Sequence, residues 1–341
     1  MLQLSKSEIM LPKYSRDTLE YLHKPYEAYL EVFEPASKLA VKRLSTQWPW
    51  SEYPVKDDIH QMKTEFSSKQ TSSVISSLKL FTHYELKAGN EYWGNKIVKS
   101  FAPQCIKRMA MVNANVELNS HAPFYNALNK ELNIDTIEFY ESYAENKILR
   151  ERMQHIDSII SSKDLAESVL AFSLVEGAVL YSTFAYLKHY NAKGGNRLRN
   201  VVSGLNSSVR DENLHSLGGA LLFNLEAQYQ GKEVNDYQDK AYEIATLIVE
   251  HEKEINKVTF SEGELDTYTV IQANHFVEHR ADVCLINAGF KPLFKPKYNP
   301  VAEWFYDDIN SLRLHDFFAQ SGGEYSMNWV AESFDLDGGW N

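Results

Sequence analysis

The sequence predicts an all-α protein built around a helix bundle, on three observations. Fifteen glycines and ten prolines are few for 341 residues, and they cluster into a few breaks instead of punctuating the whole chain. Between the breaks, apolar residues recur at helical intervals, as Leu170, Leu174, Gly177 and Tyr181 do. Alternating patterns of the kind that make strands are scarce, and no repeat of fixed period is present. The breaks fall at 48–54 (WPWSEYP), at 289–300 (GFKPLFKPKYNP) and from 322 onward (GGEYSMNWVAESFDLDGGWN). Residues 56–99, 102–130, 135–160, 164–190, 195–225 and 235–288 then read as long helical stretches.

Composition narrows the function classes. The chain is 44% hydrophobic and 24% charged, as a globular protein is. Its 46 acids against 35 bases give a net charge of −11. That disfavours broad binding to nucleic acid or anionic membranes, and it suits a protein that holds cations with carboxylates. Cys105 and Cys284 are the only cysteines. Neither a disulfide framework nor a thiolate zinc site is expected on that count, and a reducing cytoplasm is. The N-terminus lacks a signal-peptide core, and no apolar run is read as reaching the roughly 18 residues of a membrane span.

The helical stretches carry chemistry in order. In 56–99, KLFTHYELKAGNEYW offers Glu85 or Glu91, and spacing does not choose between them. In 102–130, NANVELNSHAPFYNAL places Glu117 four residues before His121, with Tyr125 four further on. Offsets of three and four both keep a pair on one helix face, and a local π-bulge would absorb the extra residue. The 135–160 stretch contributes helical spacing alone. In 164–190, AFSLVEGAVLYSTFAY sets Glu176 inside an apolar helix, where a charge is costly unless paired or bound to metal. Leu180 and Phe184, one and two turns beyond it, are candidates for an apolar wall. In 195–225, VRDENLH contains Glu212 and His215 at i, i+3, with Asp211 alongside. In 235–288, HEKEINK reads as a solvated face, and His275, Glu278 and His279 of NHFVEHR as a polar helix face. The turn GGNRLRN lacks the lysine and spacing of a phosphate loop.

Singly these motifs are weak. Jointly they supply four carboxylates and two histidines on four helices, which is what a carboxylate-bridged metal pair in a bundle needs. Hard oxygen donors with one imidazole per ion suit iron or manganese over zinc or copper.

From about Trp48 to Asn341 the chain resembles the radical-generating small (beta) subunit of class I ribonucleotide reductase. RDENLH is similar to that family's Arg-Asp-Glu-x-x-His block, VEGAVLYSTF to the helix of its third carboxylate, and HAPFY to its histidine with the radical tyrosine four residues later. LFTHYELKAGNEYW resembles the helix of the first acidic ligand, favouring Glu85 over Glu91. WPWSEYPVKDD resembles the segment of the electron-transferring tryptophan, with Trp48 the best fit. HRADVCLINAGFKPLF, NPVAEWF and the terminal GGEYSMNW and SFDLDGGWN are similar to the family's late segments. The resemblance implies a ferritin-like bundle over 1–321 and a flexible tail over 322–341. It implies Glu85, Glu117 and His121 on one metal, and Glu176, Glu212 and His215 on the other. It further implies a radical on Tyr125, Asp211 linking His121 to Trp48, and Tyr325 relaying to the large subunit, onto which the tail would dock. A homodimer and a diiron centre are expected from it, with dimanganese or manganese–iron as alternatives. Two departures stand out: Leu118 sits where the usual Glu-x-x-His would place its glutamate, and Glu85 replaces an aspartate. A stand-alone dimetal oxidase or desaturase and a ferritin-like storage bundle are the competing classes; Tyr125, Trp48, Asp211 and the tail weigh against both.

Overall fold

The computed structural model describes residues 12–306, apart from 27, 80, 262–264 and 266–267. Tyr325 and the proposed tail at 322–341 lie outside the described residues. Within them the protein is all-α; the single bridge joins Leu265 and Tyr268.

The main helices are α1 (Glu34–Ser45), α2 (Val55–Glu65) and α3 (Ser68–Leu78). Helix α4 begins as Phe81–Leu86 and runs on through a π-helical stretch, Lys87–Ile97. Helix α5 comprises Gln104–Val116, a π turn at Glu117–His121, and Ala122–Glu131. Then come α6 (Lys147–Ser161), α7 (Leu165–Ala178), α8 (Tyr181–Lys188), α9 (Arg199–Tyr229), α10 (Gln238–Thr259) and α11 (Val270–Asn287).

Local chemistry sets the boundaries that periodicity alone runs together. Ser67 and Gln70 form a capping box that separates α2 from α3, and Thr269 with Gln272 does the same at the start of α11. Asn146 caps α6 through its side chain. Helix α6 is amphipathic, burying Leu149, Arg152, Met153, Ile156 and Ile159. Helix α7 is apolar all round and every residue from Ser168 to Ala178 is buried, which makes it the central rod of the bundle.

Helix α7 lies along α9, which at 31 residues is about 46 Å long. Two serines fasten the pair: Ser173 Oγ donates to the Ser216 carbonyl and Ser216 Oγ donates to the Ser173 carbonyl, each at 2.8 Å. Small residues allow this closeness. A Cβ on Gly177 would sit 2.3 Å from Cys284 Sγ and 2.5 Å from Ser216 Oγ.

Two expectations are corrected. The stretch 164–190 is not one helix, because Leu180 adopts φ +71° and divides α7 from α8. A leucine in that left-handed region costs about 1–3 kcal/mol, which the complete burial of its surroundings offsets. Leu180 therefore does not lie one turn beyond Glu176 on a continuing helix. The reading that no apolar run reaches membrane length also fails, since Leu165–Gly194 passes by length and composition. Its most apolar window is entirely buried inside the protein, so its apolarity is that of a core.

The tightest helix crossings give the first prediction. Gly204 lies under the Phe124 ring, with a built Cβ 2.3 Å from Cζ. Gly177→Ala and Gly204→Ala should each lower stability by about 1–3 kcal/mol through overpacking. Thermal and urea unfolding of the two variants check this; midpoints equal to wild type would show that the crossings can spread.

Candidate dimetal centre

Four helices bring the candidate ligands together. Glu85 comes from α4, Glu117 and His121 from α5, Glu176 from α7, and Glu212 and His215 from α9. All six are buried, none more than 1% exposed. They form two overlapping groups, Glu85–Glu117–His121–Glu212 and Glu117–Glu176–Glu212–His215, and the donor atoms within each lie within 4.8 Å of one another. Glu91, the alternative to Glu85, is solvent-exposed and pairs with Lys87 at 3.6 Å.

The four-residue spacing of Glu117 and His121 is taken up as the π-bulge reading expected. Residues Glu117–His121 are π-helical, and the Ala122 N–H donates to the Glu117 carbonyl, five residues back. Pro123 follows at once and brings no N–H to the helical ladder. The result puts Glu117 Oε2 3.0 Å from His121 Nδ1.

Glu117 and Glu212 each face both imidazoles. Glu117 Oε1 lies 2.7 Å from His215 Nδ1, opposite its contact with His121. Glu212 Oε1 lies 3.3 Å from His121 Nδ1, and its Oε2 lies 3.5 Å from His215 Nδ1. Two carboxylates are thus common to both groups, and two, Glu85 and Glu176, sit at the ends.

These contacts lack hydrogen-bond geometry. Both oxygens of Glu85, Glu117 and Glu212, and Nδ1 of both histidines, are buried without a hydrogen-bond partner. Unpaired buried carboxylates are expensive, so eight such atoms in one small space fit a set of ligands for cations. Without a cation the charges adjust to one another. Burial and the neighbouring Glu117 charge hold Glu85 well above the ordinary carboxylate range. Burial would raise Glu117 too, but the His121 and His215 charges outweigh it and hold Glu117 well below.

Beyond His121 lies a second polar group. His121 Nε2 is 3.0 Å from Asp211 Oδ2, and Trp48 Nε1 donates to the same oxygen at 2.8 Å. The indole stacks on His121 with centroids 5.8 Å apart, and Trp48 is buried while Trp50 is exposed. Arg43, which the sequence reading missed, completes this group. Its guanidinium is fully buried and grips both Asp211 oxygens, at 2.9 and 3.0 Å. Burial pushes the Asp211 carboxyl up, but the Arg43 charge and the bonds from His121 and Trp48 bring it below its ordinary value.

Tyr125 is fully buried, and its hydroxyl donates to Ser208 Oγ at 3.2 Å. Phe81 stacks on its ring at 4.4 Å, and Phe124 meets it edge-on at 5.3 Å. Phe184 stands behind Phe81 at 5.4 Å. Burial, and then the Glu85 charge, push the phenol well above its ordinary pKa. His275, Glu278 and His279 take no part in either ligand group.

Fold and cluster together define a class: a helix bundle whose buried carboxylates and imidazoles suit a pair of metal ions. Residues 34–300 match the family model described as ribonucleotide reductase, small chain, and the chain belongs to that oxidoreductase family. It is 26% identical over 225 residues to the ribonucleoside-diphosphate reductase subunit beta of Mycoplasmoides gallisepticum, covering 65% of this chain and 64% of that protein, just under two thirds of it. With the ribonucleoside-diphosphate reductase 2 subunit beta of Escherichia coli it shares 22% over 303 residues, 87% of this chain and 91% of that one. Among solved structures, the dimanganese(II)-NrdF of Streptococcus sanguinis has the same fold, with a TM-score of 0.70 and 18% identity over 82% of this chain and 98% of that chain. The Rnr4 homodimer of Saccharomyces cerevisiae gives a TM-score of 0.67 at 17% identity, covering 85% of this chain and 90% of that one.

The Arg43–Asp211 pair is fully buried, so removing one partner strands the other's charge. Arg43→Ala should destabilise the protein by about 3–5 kcal/mol, and adding Asp211→Asn should recover part of the loss. A double-mutant cycle in urea measures this; additive losses would mean that the pair does not interact.

Proposed function

We propose that this chain is the radical-generating small subunit of a class I ribonucleotide reductase. In this reading Glu85, Glu117, His121, Glu176, Glu212 and His215 would hold two metal ions, Glu117 and Glu212 being common to both ligand groups. The observation that carries it is the set of eight buried, unpartnered oxygens and nitrogens on three helices, beside a fully buried tyrosine. Oxygen-rich donors with one imidazole at each end suit iron or manganese; a diiron pair is the first choice, with dimanganese or manganese–iron as alternatives. The bound pair supplies oxygen-dependent redox chemistry able to take one electron from Tyr125.

The chain's own residues make that radical durable and usable. Phe81, Phe124 and Phe184 keep water and small reductants from the Tyr125 ring. The Tyr125 hydroxyl donates to Ser208 Oγ at 3.2 Å, which fixes the hydroxyl's direction. Asp211 bonds His121 and Trp48 through one oxygen, giving the oxidising equivalent a continuous route from the cluster to the indole. Arg43 keeps Asp211 ionised and so holds that junction together. Tyr325 then passes the radical to a large catalytic subunit, where ribonucleotides are reduced. The terminal peptide around 334–340 docks on that subunit. The small subunit works as a homodimer in this reading.

Loading the metal-free protein with iron(II) or manganese(II) and then oxidising it should give a tyrosyl signal by electron paramagnetic resonance, absent in Tyr125→Phe. No signal with either metal would reject the tyrosyl mechanism. Deleting 326–341 should abolish pull-down of the large subunit while leaving the radical intact; undiminished capture would reject docking by the tail.

A further inference from the structure

Glu176 is held in a way that the other metal-facing carboxylates are not. Both oxygens of Glu85, Glu117 and Glu212 are buried without a hydrogen-bond partner. Glu176 accepts two bonds: Trp93 Nε1 donates to Oε1 at 2.7 Å, and the Tyr84 hydroxyl donates to Oε2 at 3.0 Å. Trp93 and Tyr84 are themselves buried, at 0% and 2% exposure. Each carboxylate oxygen accepts one of these bonds and keeps a lone pair for a cation. Two donors on two oxygens therefore fix the plane and direction of the group while leaving it free to ligate. The Trp93 ring also lies against His215, the imidazole of the same end, with centroids 5.9 Å apart.

Both donors come from α4, and a plain α-helix would not aim them together. Tyr84 and Trp93 are nine residues apart. Nine α-helical steps turn about 900°, or about two and a half turns, which would set the two side chains on opposite sides of the helix. Between them α4 changes to π-helix, over Lys87–Ile97. Hydrogen bonds that reach five residues along make each turn wider, so each residue rotates the helix by less. That lost rotation brings Trp93 round to the side of Tyr84, and both meet one carboxylate on α7. Glu85, one residue from Tyr84 and so about 100° round the helix, faces His121 instead, its Oε2 3.5 Å from Nδ1.

We infer that Tyr84 and Trp93 are positioning residues that hold Glu176 ready to ligate, and that the π-helical run of α4 is the element that aims them. This rests on the dimetal reading above and adds the residues that orient one ligand. Helix α4 then serves both ends of the cluster. It supplies Glu85 as a ligand at one end and orients Glu176 at the other. Partners of this kind set a ligand's direction before the ion arrives, and losing them costs about ten- to a hundredfold in metal affinity.

The test titrates metal-free full-length protein with manganese(II) alone, without oxygen, following free ion by electron paramagnetic resonance. Wild type should bind two ions per chain, and Glu176→Ala should weaken or abolish one of the two steps, which marks the step that depends on Glu176. In Tyr84→Phe/Trp93→Phe that same step should weaken by about ten- to a hundredfold, while the other changes far less. Tyr84→Phe alone, which removes one oxygen atom and little packing, should weaken it by less, and decides the matter if the double variant does not fold. Tyr92→Phe is the packing control: Tyr92 is a fully buried neighbour on α4 whose hydroxyl has no hydrogen-bond partner, and both steps should stay in place without it. A Glu176 step that is unchanged or tightened, a loss shared equally by both steps, or an equal loss in Tyr92→Phe overturns the inference. Wild type binding fewer than two ions, or Glu176→Ala binding both as tightly as wild type, would instead overturn the dimetal reading on which it rests.

Discussion

Burying this much carboxylate is the constraint on which the rest of the structure depends. Glu85, Glu117, Glu176, Asp211 and Glu212 all lie within the bundle at 1% exposure or less. An isolated charge there would cost many kcal/mol, so the helices must deliver compensation at defined places. Two kinds are visible. Asp211 is neutralised by protein: a buried arginine, an imidazole and an indole N–H converge on it. The metal-facing carboxylates are mostly left unpaired, with only the two imidazoles near by. A fold that stabilised them fully with its own donors would have no ligands to offer. The surrounding apolar core supplies the stability that this arrangement withholds, and the reciprocal Ser173–Ser216 bonds hold two of the ligand helices in register.

How much of this could be read from sequence follows the distance over which each feature acts. Helical content and the ligand-bearing segments were readable, because 3.6-residue periodicity is local and Glu176 is conspicuous as a charge in an apolar run. The Glu117–His121 spacing was readable as a widened turn, since Pro123 and the extra residue lie within the same few positions. What escaped depends on contacts between helices. Nothing around Arg43 distinguishes it from a surface base; its burial is decided by Asp211, 168 residues away. The sharing of Glu117 and Glu212 between both groups needs interhelical distances that spacing along one helix cannot give. The bond from Trp93 to Glu176 spans 83 residues and was hidden for the same reason, although EYW was part of a quoted motif.

The break at Leu180 escaped for a different reason. Leucine prefers helix, and VEGAVLYSTF contains no proline and no polar cap. Tertiary packing overrides propensity there. The break lets α7 carry Glu176 to the cluster while α8 turns to present Phe184 behind Phe81. A continuous helix would place its apolar residues on a fixed spiral, and one direction could not serve both the ligand and the tyrosine's wall.

The surroundings of the cluster are therefore polarised along its length. On the His121 side, an anion clamped by Arg43 backs the imidazole and connects it to Trp48, which lies near the N-terminal end of the described chain. On the Glu176 side, two neutral donors bond the carboxylate, and His215 Nε2 has no hydrogen-bond partner among the described residues. The placement of Asp211 on one imidazole, and of Trp93 and Tyr84 on the opposite carboxylate, makes the two ends differ without any difference in the ligand types themselves.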